Sequence, residues 1–322
     1  MTEFWNDFPG INEALGRVQE LIDRAIQSNN RIIAEGLGSL FGGDGKLLRP
    51  GLLLIASSFG KDQEEKRFPL AAALEILHTA TLIHDDIIDN SPLRRGLPAA
   101  HEKYGQKDAV LIGDFLLSRC FLLTAQYTSP ENAEYLARSI SALCTMELEQ
   151  DADRFRSSVS VRGYLRKITG KTALLFSLAC HVGASEAKAP PPVTTTLRRI
   201  GYNLGMAFQI IDDILDYTGE EDTIRKPRGN DVKAGLVTLP LILALRRDTQ
   251  GELTALVGQD TFPHSDFNRI IRLTLELGGI EESYRYSQGY TRRALGEIES
   301  LPPGKGRTMM EKLTHKLLER TA

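Results

Sequence analysis

The chain has 322 residues, a formal net charge of −3, and 42% hydrophobic and 25% charged residues. That length allows one large domain or two smaller ones, and the composition is that of a globular protein, not a disordered chain. The near-neutral balance gives no basis for nucleic-acid binding, so an anionic ligand has to be met by a local basic cluster. Cys120, Cys144 and Cys180 form no CxxC pair. That argues against a disulfide framework or zinc ribbon and for a reducing, cytoplasmic setting. Met1–Gly10 carries Glu3, Asp7 and Pro9 without an apolar core, so no secretory signal is expected. The longest apolar stretches, Ala109–Gln126 and Leu236–Leu245, are interrupted by charge or end in it, so no membrane span is expected either.

Helical periodicity dominates from the start. Ile11–Ile33 places Leu15, Val18, Leu21, Ile22 and Ile26 on one face and predicts a single amphipathic helix. Leu47–Phe59, Phe68–Asp89, Ala109–Gln126, Ala133–Asp153, Val161–Val182, Thr194–Tyr217, Leu239–Leu245, Phe267–Leu277 and Glu281–Ile298 read the same way. No alternating β-branched runs are bounded by hairpin turns, so a sheet is not expected. Breaks fall at Gly42–Gly45, Asn90–Pro98, Ala189–Pro192, Glu220–Gly229 and Pro302–Gly306, none long enough to be an interdomain linker. The expectation is one all-α domain over residues 1–322, built from about ten helices. Leu301–Ala322 carries no functional signal.

Two helices repeat a local motif. Leu82–Asp89 reads LIHDDIID and Ile210–Asp216 reads IIDDILD. Residues four apart on a helix differ by about 40° in azimuth. Asp85 and Asp89 therefore share a face, as do Asp212 and Asp216, with Asp86 and Asp213 to one side. Thr81 and His78 extend the first stripe, Gln209 and Gly205 the second. A single DDxxD is usually a solvated acidic face; two copies, each inside apolar sequence, are harder to explain that way. Clustered carboxylates repel one another and resist ionisation unless cations are present. An all-oxygen donor set favours a hard divalent ion, Mg²⁺ first and Mn²⁺ second. Such an ion completes its shell with water and phosphate oxygens, which gives meaning to the basic residues near helix ends: Lys46, Arg49, Arg94, Arg95, Lys171, Lys226 and Arg228. Thr169–Thr172, TGKT, is not a P-loop, because GxxxxGK[ST] and a preceding strand are both missing.

Several motifs in order resemble the trans-polyprenyl diphosphate synthases: GDGKLLRP, HTATLIHDDIIDNSPLRRG, HEKYG, AVLIGDFLL, GKTALLF, GMAFQIIDDILDYTG and KPRGNDV with TLP after it. The resemblance runs from about Gly42 to Pro240. It implies an all-α bundle around a deep central cavity, with the aspartate clusters facing each other across its mouth. It implies Mg²⁺-dependent head-to-tail condensation of isopentenyl diphosphate with an allylic diphosphate. Asp85, Asp89 and Asp212 would be direct Mg²⁺ ligands, and Asp86, Asp213 and Asp216 would act through water or neighbours. Lys46, Arg49, His78 and Arg95 would hold isopentenyl diphosphate. Arg94, Lys171 and Lys226 would contact the allylic diphosphate. Thr172 and Gln209 would line the place where the carbocation forms. Three positions depart from the family pattern: Leu47 stands where a basic residue is common, Arg225 replaces the usual glycine, and Leu236 replaces a lysine found in many relatives. None removes a metal ligand.

In this family, product length follows the depth of the cavity beneath the first aspartate cluster. Ala80 and Thr81 are small where short-chain enzymes carry an aromatic, and Leu77 continues the same face. This resemblance points to a medium- or long-chain product of the octaprenyl or heptaprenyl kind. The alternatives are a geranylgeranyl- or farnesyl-type synthase, or the catalytic subunit of a heteromeric enzyme inactive alone. A terpene cyclase fits less well, because Lys46, Arg49 and the second aspartate cluster have no role there. The resemblance also implies a homodimer through the Ala109–Gln126 helix, no nucleic-acid partner, and at most peripheral membrane contact through the product. The Glu220–Gly229 loop is expected to close over bound diphosphate.

Overall fold

A computed structural model describes residues 3–41, 45–61, 63–94, 97–151, 159–218, 229–257 and 266–318. Helices dominate these residues. After a 3₁₀ turn at Glu3–Trp5 come α1 (Ile11–Ala25), α2 (Arg31–Phe41), α3 (Leu48–Ser57), α4 (Glu64–Ile88), α5 (Ala100–Tyr104), α6 (Gln106–Tyr127) and α7 (Pro130–Asp151). Then follow α8 (Val161–Ile168), a π-helical turn (Thr169–Ala173), α9 (Leu174–Glu186), α10 (Pro191–Thr218), α11 (Asn230–Lys233) and α12 (Leu239–Leu245). The chain continues through α13 (Glu252–Val257), α14 (Phe267–Glu276), α15 (Gly279–Glu299) and α16 (Lys305–Leu318).

The all-α expectation holds, with local differences. The expected Ile11–Ile33 helix is two helices, interrupted around Ser28–Asn30, where Asn30 accepts from the Ile32 and Ile33 amides and starts α2 afresh. The Val161–Val182 run contains a π turn, and Leu301–Ala322 contains α16. The sheet that was not expected is a ladder of two-residue strands, Leu93–Arg94 (β1) and Leu97–Pro98 (β2), antiparallel with Arg94 opposite Leu97.

The residues fall into two compact units, each assembled from separate stretches of chain. The first comprises 1–137, 178–198 and 301–310. In it, α4 packs against α1, α3 and α6. The α1 stripe of Ile11, Leu15, Val18 and Ile22 is buried, as its periodicity demands. Almost all of α4 from Phe68 to Ala80 is buried, so it acts as the central post of this unit. The second unit comprises 138–177, 199–300 and 311–322. Its core joins Tyr164 and Ile168 of α8, Met206, Ile210, Ile214 and Tyr217 of α10, and the buried faces of α12 and α14. Among the described residues, no helix is long and apolar enough to cross a membrane.

Candidate active site

The first aspartate cluster lies at the C-terminal end of α4. Asp85 and Asp86 are buried, and Asp89, half-buried, is the capping residue just beyond Ile88. The carbonyl end of a helix carries partial negative charge, so carboxylates are poorly placed there unless cations offset them. Asp86 has its own cation. Arg94 returns from β1 and donates from Nε to Asp86 Oδ2 at 2.9 Å and from Nη2 to Oδ1 at 2.6 Å. Beside Asp85, the His84 ring lies 3.4 Å from the Val110 carbonyl and 3.5 Å from Asp114 on α6. Gly113 makes that approach possible: a Cβ there would sit 2.2 Å from His84 Nε2.

The second cluster occupies the last two turns of α10, again at the carbonyl end. Asp212 is exposed, Asp216 half-buried and Asp213 buried. Tyr164 Oη donates to Asp213 Oδ2 at 2.6 Å, and Gln209 Nε2 donates to Oδ1 at 2.8 Å. Thr172 Oγ1 in turn donates to Gln209 Oε1 at 2.6 Å. The carboxylate accepts from the amide nitrogen, so the amide oxygen has to face Thr172, and the chain of donors has one polarity. Burial pushes the Asp213 carboxyl well above the usual carboxylate range, against the pull of Tyr164 and Gln209, and the nearby Asp212 and Asp216 add to the rise. Burial also keeps Tyr164 protonated and donating. Asp216 accepts from the backbone amides of Asn230 and Asp231 at 3.2 and 3.1 Å, which fixes the start of α11.

Lys171 and Thr172 sit in the π turn between α8 and α9, Lys171 half-buried and Thr172 buried. Such turns insert one residue into a helix and re-aim its side chains, often at functional positions. Gly205 of α10 lies against this turn: a Cβ there would be 2.5 Å from the Ala173 Cα. Thus Lys171, Thr172, Gln209, Asp212, Asp213 and Asp216 belong to one unit.

Lys46, Arg49, His78, Asp85, Asp86, Asp89 and Arg94 belong to the other. Lys46 is exposed and precedes Leu47, which caps α3 in a left-handed conformation at φ 46°. That conformation costs a leucine roughly 1–2 kcal/mol. Trp5 holds the segment in place: its indole Nε1 donates to the Lys46 carbonyl at 2.5 Å, and its ring covers Gly51, where a Cβ would be 2.2 Å away. Arg49, the second residue of α3, is half-buried, as is His78. Thr81 ties its hydroxyl back to the His78 carbonyl at 2.8 Å, while Ala80 and Leu77 are fully buried. Arg95, Lys226 and most of the expected Glu220–Gly229 closing loop lie outside the described residues.

Trp5, Tyr164 and Gly113 had not stood out in the sequence. Tyr164 carried a weak signal, a polar-tipped residue on the apolar face of α8; Trp5 lies outside the recognised motifs. Among the described residues no three His, Cys, Asp or Glu side chains converge into a ready-made metal site. The all-carboxylate donors at two helix carbonyl ends suit a hard cation that shares its shell with water and substrate oxygens.

Comparison with known proteins decides the family. Residues 30–274 match the polyprenyl synthetase family. The chain belongs to that family. It is a prenyltransferase with an all-α isoprenoid-synthase fold. This polyprenyl synthetase is 37% identical over 303 residues to heptaprenyl diphosphate synthase component 2 of Geobacillus stearothermophilus, covering 94% of each chain. It superposes on the heptaprenyl diphosphate synthase of Staphylococcus aureus with a TM-score of 0.92 at 33% identity, covering 97% of this chain and 99% of that one. The polyprenyl synthase of Caulobacter crescentus CB15, solved with calcium and isoprenyl diphosphate, gives 0.91 at 35% identity over 97% and 96% of the two chains.

Proposed function

We propose that this polyprenyl synthetase condenses isopentenyl diphosphate head to tail with an allylic diphosphate, using Mg²⁺, to give an all-trans product of medium or long chain. The observation that carries this reading is the family match over residues 30–274, with an aspartate cluster at the carbonyl end of each of two helices. Asp86, Asp213 and Asp216 have their oxygens engaged by Arg94, by Tyr164 and Gln209, and by backbone amides. By resemblance to the family pattern, Asp85, Asp89 and Asp212 are the metal ligands in this reading, and the other three stiffen their surroundings. Bound Mg²⁺ would offset the charge that grows on the departing diphosphate.

The chain's own residues supply the rest. Lys171, Arg94 and Lys226 hold the allylic diphosphate, and Lys46, Arg49, Arg95 and His78 orient isopentenyl diphosphate. Positioning two substrates so that a double bond meets a nascent cation is chiefly an entropic contribution. Thr172 and Gln209 present neutral oxygens that stabilise the cation without capturing it. Because the Thr172 proton is committed to Gln209, its lone pairs are left for that task. The released diphosphate takes the final proton.

Ala80, Thr81 and Leu77 form the upper wall of the product channel. The chain acts in the cytoplasm, as one synthase domain per chain, and pairs through α6, where Val110, Leu111, Phe121 and Leu122 are 39–53% exposed. The test is to incubate the protein with Mg²⁺, farnesyl diphosphate and isopentenyl diphosphate and read product masses. A ladder ending beyond twenty carbons is expected, and chelation by EDTA should abolish it. A single one-unit extension would retain the chemistry and overturn the chain length. The similarity to a relative named component 2 favours one second reading, a catalytic subunit that needs another chain. Activity that appears only on adding such a partner would establish it.

A further inference from the structure

Two cavities lie end to end within the first unit. One is mostly apolar and runs beside α4 from Leu77 through Leu74 and Ala73 to Leu70. Its far end is not closed by bulk alone. Thr128 and Asn132, which line it, both donate to Glu186 Oε1 at 2.7 Å. Beyond lies a second, smaller cavity, lined by Lys61, Lys66, Arg67 and Glu186. Leu53, Leu70 and Val182 line both. Glu186 therefore sits at the partition, only 7% exposed. It also accepts from the Ser129 amide at 2.7 Å and pairs with Lys66 Nζ at 3.1 Å.

Resting on the synthase reading above, we infer that the Glu186 hub, with Thr128, Asn132 and Lys66, is the stop that limits product length in this chain. The geometry follows α4. At 1.5 Å per residue, Leu70 lies about 22 Å along the helix from Asp85 and Lys66 about 28 Å, roughly one isoprene unit per turn. A growing hydrocarbon finds apolar walls down to Leu70 and then meets a buried, fully engaged carboxylate. Going further would strip that carboxylate of donors or press apolar carbon against charge, both unfavourable. Burial alone would raise the Glu186 carboxyl; its hydrogen bonds from Asn132, Ser129 and Thr128 and its pairing with Lys66 instead pull it down to about 2, so the hub is ionised at working pH. The second cavity is where the chain would go if the partition opened. Nothing about Glu186 suggests catalysis: its α4 partner Lys66 lies about five helical turns from Asp85 along that helix, and its hydrogen bonds come from Thr128, Ser129, Asn132 and Lys66.

The test compares product ladders from the full-length wild type, Glu186→Ala and Leu70→Ala. Both variants should move the longest product up by at least one isoprene unit, with primer consumption within about threefold of wild type. If Glu186→Ala does not fold, Leu70→Ala decides, because it thins the shared wall without touching the hub. A wild-type ladder that neither folded variant changes overturns this inference and leaves the synthase reading standing. No product from wild type, alone or with a heteromeric partner subunit, overturns both.

Discussion

Arg94 closes on Asp86 through two hydrogen bonds of 2.6 and 2.9 Å, so a residue expected to meet substrate phosphate is also a structural partner of the aspartate cluster. The bidentate geometry is available to arginine and not to lysine. Arg94→Lys should therefore lower kcat/KM for the allylic substrate by about tenfold to a hundredfold, and Arg94→Ala by more. The KM for isopentenyl diphosphate should move much less. Steady-state kinetics with each substrate varied in turn will show this; equal losses for both substrates would contradict it.

Tyr164 and Asp213 make the second test. Tyr164 is buried and its hydroxyl has Asp213 as partner. Tyr164→Phe leaves that buried carboxyl oxygen without its donor, at a cost of about 1–3 kcal/mol. Urea denaturation should register the loss; an unchanged midpoint would mean the hydrogen bond adds nothing.

Gly205 lets α10 approach the π turn, and the atom a Cβ would strike is the Ala173 Cα at 2.5 Å. Backbone cannot swing aside as a side-chain tip can. Gly205→Ala should cost about 1–3 kcal/mol and should also lower kcat, because the turn carries Lys171 and Thr172. A variant with reduced stability but normal kcat would separate the turn from catalysis.

Ala80 is fully buried in α4. Ala80→Phe should shorten the product and overpack the helix by about 1–3 kcal/mol. Product masses from the folded variant are the readout, and an unaltered distribution would remove Ala80 from the channel wall.

Glu186 predicts a pH effect with a definite sign. Its carboxyl lies at about 2 in the folded protein against 4.5 for an unperturbed glutamate. A lowered carboxylate stabilises the fold above its unfolded value and loses that contribution as pH falls toward the folded one. The wild type should exceed Glu186→Gln in stability by on the order of 1–2 kcal/mol at neutral pH, with allowance for screening at half-buried Lys66. The gap should narrow between about pH 5 and pH 2. Urea melts of both proteins across that range will report it, and a constant gap would assign the difference to shape alone.

Much of the architecture was legible in the residues. The stripe from Ile11 to Ile22 is buried as its spacing requires, and both DDxxD runs sit at helix ends, the second within α10 and the first closing α4 with Asp89 as its cap. What misled was local: Ser28–Asn30 breaks an apolar period that continues on either side, because a side-chain cap can restart a helix without disturbing the pattern. The π turn at Thr169–Ala173 was invisible for a related reason, since one inserted residue changes phase and leaves composition untouched.

Sequence by itself determined which chemistry is present: six aspartates in two repeated motifs, basic residues at helix ends, and an apolar period of 3.6 throughout. These are properties of spacing along one helix, which local geometry transmits directly. Only the tertiary structure decided which side chains hold Asp86 and Asp213. Asp86 and Asp85 are neighbours of identical type, as are Asp213 and Asp212, and nothing local names the partners of Asp86 and Asp213. Those partners are Arg94, from the β1–β2 ladder, and Tyr164, 49 residues before Asp213. The Glu186 hub has the same origin: donors from α4 and from the start of α7 meet the end of α9. A buried charge is defined by what surrounds it, and that is settled by packing between distant parts of the chain.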